Sequence, residues 1–173
     1  FDSFVVARGR ALLRFANVLC GNGHLAEDIV QEVLARIHPK WSRIEGMESP
    51  EAYVRKAIVR EYLSWRRRRA STEVAVAQVP DRPDPRDPER ALVDRGEMSA
   101  LLSRLPRAQR AVLVLRFYDD LADEEIAEVL GCRSSTVRAH ASRALAQLRS
   151  VLGGRGSGPG GSGAGGRGPG PGI

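Results

Sequence analysis

The sequence predicts an all-α protein built as two small helical domains on a flexible Pro-rich linker, and three observations lead there. Apolar residues recur at spacings of three and four in one window after another, the pattern of helices that bury one face. That pattern stops over residues 71–90, where the run VPDRPDPRDPER supplies prolines that forbid regular structure. It stops again after Leu152, where GGRGSGPGGSGAGGRGPGPGI has almost no apolar area to bury. The expected division is therefore 1–70 for a first domain, 71–90 for the linker, 91–152 for a second domain and 153–173 for a disordered Gly-rich tail.

Composition narrows the function. The chain has 173 residues, a net charge of +6 and a pI near 10.1. Its 27 basic residues are all arginine apart from Lys40 and Lys56, a bias that favours a polyanionic partner, nucleic acid or a membrane surface. No apolar run approaches the roughly 20 residues of a membrane span and no signal peptide is visible, so a cytoplasmic protein without membrane insertion is expected. Cys20 and Cys132 are too isolated for a zinc site and read as small core or turn residues. His24, His38 and His140 are scattered. With no convergent acids or nucleophile beside a base, no catalytic residue, metal or cofactor is expected.

In the first domain, Phe4, Val5, Leu12, Leu13, Phe15, Ala16 and Leu19 predict a helix that Gly21-Asn22-Gly23 breaks. Ala26, Ile29, Val30, Val33, Leu34 and Ile37 then form a continuous stripe, leaving Asp28, Gln31, Glu32 and Ala35 outward; periodicity alone makes that acidic face a solvated surface. Pro39 ends this helix, and Trp41 and Ile44 pin the connection to the core. Ser49-Pro50-Glu51 opens another helix with cap, proline and acid in the favoured order. Its buried stripe should include Val54, Ala57, Ile58, Tyr62 and Trp65, with Arg55, Lys56 and Arg60 exposed, and it runs into Arg66, Arg67, Arg68 and Arg69. Basic residues interleaved with Tyr53, Tyr62 and Trp65 can hold phosphates and stack on bases; alternatively, the aromatics are core and the arginines cap a helix end. By count, residues 1–70 carry 13 basic and 8 acidic side chains and residues 71–96 carry 4 and 6, so an acidic strap joins two basic modules.

In the second domain, Leu92, Val93, Leu101, Leu102 and Leu105 mark one helix, and Pro106 starts another through Ala111, Val112, Leu115 and Phe117. The acids Asp119, Asp120, Asp123, Glu124 and Glu125 need only the dipole of a following helix to explain them. The stretch LADEEIAEVLGCRSSTVRAHASRALAQL then reads as helix, tight turn, helix. Ile126, Ala127 and Leu130 give the first apolar face, Gly131 ends it, and Ser134 is placed to cap the second. Val137, Ala141, Ala144, Leu145 and Leu148 recur at helical spacing, while Ser135, Arg138, Ala139, Ser142 and Arg143 face away, with Arg133 just ahead. Small, hydroxyl and arginine side chains on one face of such a helix suit the DNA major groove. An ordinary helical hairpin with solvated arginines is the plainer alternative.

Taken together, AEDIVQEVLARI, SPEAYVRKAIVREYLSWRRRR and LPRAQRAVLVLRFYDDLADEEIAEVLGCRSSTVRAHASRAL, in that order, resemble the sigma-70 family, specifically extracytoplasmic-function (ECF) sigma factors of the sigma-E-like actinobacterial group. The resemblance implies sigma domain two followed by sigma domain four. It implies core RNA polymerase as partner, through the beta-prime clamp helices and the beta flap, with Asp28, Gln31 and Glu32 on the clamp helices. It also implies that Tyr53, Arg55, Lys56, Arg60, Trp65 and Arg66 to Arg69 engage the minus-10 promoter element as it melts. By the same comparison Arg133, Ser135, Thr136, Arg138, Ala139, Ser142 and Arg143 read the minus-35 element as duplex DNA. Anti-sigma partners are usual in the family. Arg60 stands where many relatives have asparagine, Ala139 and His140 replace commoner serine and arginine, and Ala122 replaces a serine cap, passing that role to Asp123. A stand-alone helix-turn-helix regulator would explain the second domain but leave the first without a role.

Overall fold

A computed structural model describes the backbone of residues 1–72 and 93–155, and the side chains of 1–64 and 98–153. Every regular element among the described residues is helical. The Pro-rich segment and most of the Gly-rich tail, and the expectations of flexibility attached to them, lie outside the described residues.

Helix α1 (Asp2–Cys20) ends at Gly21, whose φ of 71° is the left-handed conformation that glycine adopts without a Cβ penalty. Asn22 caps α2 (Gly23–Ile37), its side chain accepting from the Leu25 amide at 3.0 Å. A 3-10 turn (His38–Lys40) carries Pro39, and α3 (Trp41–Ile44) buries Trp41 and Ile44 as expected. In α4 (Pro50–Thr72) the Ser49 hydroxyl accepts from the Ala52 amide at 3.3 Å. These helices pack α1 on α2 and α4, and α2 on α4. Leu12, Phe15, Leu19, Ile29, Val33, Ile44, Val54 and Ile58 are fully enclosed at their centre.

The second half comprises α5 (Val93–Ser103), α6 (Arg107–Phe117), α7 (Asp123–Leu130) and α8 (Ser134–Arg155), with α6, α7 and α8 in mutual contact. Gly131 turns α7 into α8 at φ 65°. Two expected caps are corrected. Ser134 is the first helical residue of α8 rather than its cap, since the Arg133 carbonyl already accepts from the Thr136 and Val137 amides. At α7 the cap position is Ala122, whose amide donates to the Glu125 carboxylate at 2.9 Å; Asp123 instead pairs with Arg116. Helix α4 continues to Thr72 and α8 to Arg155, a turn or less beyond the expected boundaries.

The two halves share one continuous apolar core rather than standing apart. Helix α1 packs on α5 and α6, and α4 on α6 and α7. No helix among the described residues is long and apolar enough to cross a membrane.

Candidate nucleic-acid and polymerase interfaces

Helix α8 positions the first surface. Val137, Ala141 and Ala144 are buried at spacings of four and three, which turns Ser135, Arg138, Ser142 and Arg143 to solvent; Thr136 and Arg133 are also exposed and Ala139 is half-buried. The small buried residues let α8 lie close on α6 and α7, so the exposed row stands out from a rigid support. Beside it lies an open cleft of about 270 Å³ lined by Arg116, Arg138, Ala141, Ser142, Leu145 and Arg149. Sequence reasoning missed Arg116 and Arg149 as part of this surface. Arg149 was legible, because 138, 142, 145 and 149 fall on one helical stripe. Arg116 was not, since it comes from the last turn of α6 and is held in place by Asp123.

The acidic face of α2 is equally open: Asp28, Gln31 and Glu32 are all exposed while Ile29, Val30 and Val33 behind them are enclosed. An acidic, rigid helix face suits a basic protein surface.

The face of α4 is different. Tyr62 is 1% exposed and belongs to the core, so the alternative in which it stacks on a base is excluded by burial. Tyr53 and Lys56 are half-buried. Arg55, expected in solvent, is corrected to a half-buried position: its guanidinium pairs with Asp119, bonds to Glu51 at 2.6 Å, and lies 5.4 Å and 5.8 Å from the ring centres of Phe15 and Tyr118. Arg60 is exposed but donates to the carbonyls of Val129 at 3.2 Å and Glu128 at 3.4 Å. The side chains of Trp65 and Arg66 to Arg69 lie outside the described residues. Val59 and Glu61 are also buried, Glu61 bridging to Arg36 at 2.6 Å; neither was expected inside.

Electrostatics of the Arg55–Asp119 pair are unbalanced. Burial raises the Asp119 carboxyl above its ordinary value of 3.8, more than the bond and charge of Arg55 lower it. Burial lowers the Arg55 guanidinium, but Asp119 and Glu51 outweigh that and its net shift is upward. The two shifts point opposite ways for stability. The geometry favours a charged arginine held by two acids, with the carboxylate of Asp119 incompletely compensated, so the pair orients more than it stabilises. Among the described residues no cluster of histidine, cysteine or acid could hold a metal ion.

With this geometry in hand, known proteins give a consistent answer. Residues 4–72 match the family described as Sigma-70 region 2, and residues 95–148 match Sigma-70, region 4. The RNA polymerase sigma-E factor of Streptomyces coelicolor is 36% identical over 152 residues, covering 88% of this chain and 85% of its own. The ECF RNA polymerase sigma factor ShbA of Streptomyces griseus is 36% identical over 138 residues, 74% of this chain and 72% of its own. Among solved structures, the sigma factor RpoE in complex with the anti-sigma factor NepR from Bartonella quintana superposes with a TM-score of 0.64 at 25% identity, covering 88% of this chain and 96% of that one.

Proposed function

The chain belongs to the sigma-70 family, in its extracytoplasmic-function group, and on that premise we propose a division of labour among its surfaces in directing transcription initiation. As an RNA polymerase sigma factor it binds core polymerase and promoter DNA. It acts by recognition, as sigma factors generally do, and works in the cytoplasm, where polymerase is.

Residues 1–70 form the domain that docks on polymerase and captures the minus-10 element, and residues 91–152 the domain that reads minus-35. Asp28, Gln31 and Glu32 contact the beta-prime clamp helices. Arg133, Ser135, Thr136, Arg138, Ala139, Ser142 and Arg143 enter the major groove, where the arginines bind guanine edges or phosphates. Tyr53, Arg55, Lys56, Arg60, Trp65 and Arg66 to Arg69 hold the melted minus-10 strand through charge and stacking. The observation that carries the assignment is the exposed Arg138–Ser142 row, backed by the enclosed Val137, Ala141 and Ala144. The stand-alone regulator reading is not favoured, because both sigma regions are present in order. An anti-sigma factor, the partner in the Bartonella complex, is a natural negative regulator of this chain as well.

Two variants test the separation of surfaces. Reversing Asp28 and Glu32 to lysine should weaken polymerase binding and leave duplex DNA binding unchanged or stronger. Equal loss of both would count against separate surfaces.

A further inference from the structure

The cleft beside the exposed row of α8 gathers three arginines from two helices: Arg138 and Arg149 of α8, and Arg116 from the last turn of α6. Ala141, Ser142 and Leu145 complete its lining, so its wall carries no acid. Among the described residues, Arg116 alone of the three is paired, with the Asp123 carboxylate at the start of α7. Arg138 and Arg149 are exposed, and α8 has no acidic residue from Ser134 to Arg155. Three guanidiniums against one carboxylate leave an excess of positive charge in a solvent-open concavity, a repulsion that a bound anion relieves.

Position along the helix says which anion. Arg138 and Arg149 are three turns apart, about 16 Å along the axis of α8. The major groove is only about 8.5 Å deep. With the first turns of α8 against base edges, as in helix-turn-helix proteins, Arg149 stands well above the groove floor, beside the sugar-phosphate wall. The crest of α8 between this cleft and Arg143 is built of Ser135, Ala139, Ala146 and Ser150, so no bulky side chain holds the helix off the duplex. We propose that the cleft of Arg116, Arg138 and Arg149 is a seat for a phosphodiester of the DNA backbone, which fixes the register in which α8 meets the bases. It rests on the reading of α8 given above. A guanidinium binds phosphate oxygens through paired donors whatever base is attached, so Arg116 and Arg149 contribute affinity and position but no base choice. Arg138, at the groove end of the cleft, joins the seat to the row that reads bases. Asp123 tempers the seat, holding Arg116 in place while offsetting its charge.

The test uses the full chain and a pool of short duplexes with a randomised centre, titrated by gel shift at a series of potassium chloride concentrations and sequenced after binding. Arg149→Ala should flatten the slope of log affinity against log salt by about 0.9 and weaken the whole pool evenly, with the same sequences enriched as for wild type. Arg149→Lys, which keeps the charge, should keep the slope. Asp123→Asn retains an acceptor for Arg116 but removes the opposing charge, so binding should tighten and the slope steepen by up to about 0.9. An unchanged slope with Arg149→Ala overturns the seat, as does a change in the enriched sequences, the mark of a base contact. Looser binding with Asp123→Asn removes Arg116 from it. Arg138→Ala separates the seat from the reading of α8: if the enriched sequences survive that change, the reading fails, while the Arg149 slopes still decide the seat. A wild type that binds no duplex at low salt overturns both. Should Asp123→Asn not fold, the two variants of the exposed Arg149 decide alone.

Discussion

The faces of α8 and α4 proposed here for promoter recognition make an instructive pair. Both are basic, both lie on the outward side of a helix whose other side is core, and both are legible in the sequence as such. On α8 the row from Ser135 to Arg143 remains in solvent, whereas on α4 Arg55 is drawn under Asp119 and Arg60 onto the end of α7. Periodicity tells which side of a helix its own domain buries. It carries nothing about a second domain that packs on the side left over.

The largest effect should come from Arg110→Ala, which strips a buried donor from four carbonyls. A loss of about 2–3 kcal/mol is expected in urea unfolding. If the two halves are joined as described, probes in either half should report the same shift. A shift confined to the second half would break the comparison, because α8 and α4 would then not belong to one folded unit.

Next comes the contrast of Arg138→Ala with Arg60→Ala in duplex binding by the free chain. The first should lose about 1–3 kcal/mol, the worth of a good base or phosphate contact, and the second essentially nothing. Equal losses in a gel-shift titration would mean that α4 is as accessible as α8.

A smaller effect concerns pH. Because burial raises the Asp119 carboxyl above 3.8, the folded chain holds that proton more tightly than the unfolded one. Its contribution is then greatest below the ordinary value and is lost as pH rises from 3.8 through the raised one. Relative to Asp119→Asn, wild type should lose stability across that interval and level off above it. A wild type that gains stability over Asp119→Asn as pH rises would show that Arg55 more than compensates the burial.

Smallest is Asp120→Gly. Asp120 has φ 54°, a left-handed conformation glycine takes more easily, in the turn that presents Asp119 to Arg55. Relief of strain, partly offset by the entropy of glycine, should raise stability by about 0.5 kcal/mol in thermal unfolding.

Much of the fold was readable in advance. The stripes of α2 and α8, the left-handed Gly21 and Gly131 and the Asn22 break follow from short-range rules, and each stands where its residues put it. Burial of Val59, Glu61, Val129 and Arg110 was not readable. Arg110 meets Cys20 across 90 residues of chain and Arg55 meets Asp119 across 64, and no local spacing encodes such a meeting. The capping of α7 misled for a related reason: with no side-chain acceptor at Ala122, the reciprocal half of the box, Glu125, does the work, freeing Asp123 for Arg116. The outward row of α8 was legible residue by residue, while the engagement of Arg55 and Arg60 of α4 is a property of the two halves together.

The most direct measurement is run-off transcription with purified core RNA polymerase and a pool of genomic promoter fragments, with wild type, Arg138→Ala or no added protein. Discrete transcripts that require the protein and are lost with Arg138→Ala are predicted, and their start sites would give the promoter sequence. Binding of fragments without polymerase and no initiation with it would contradict the sigma-factor account, favour a stand-alone regulator and leave the first domain without a role.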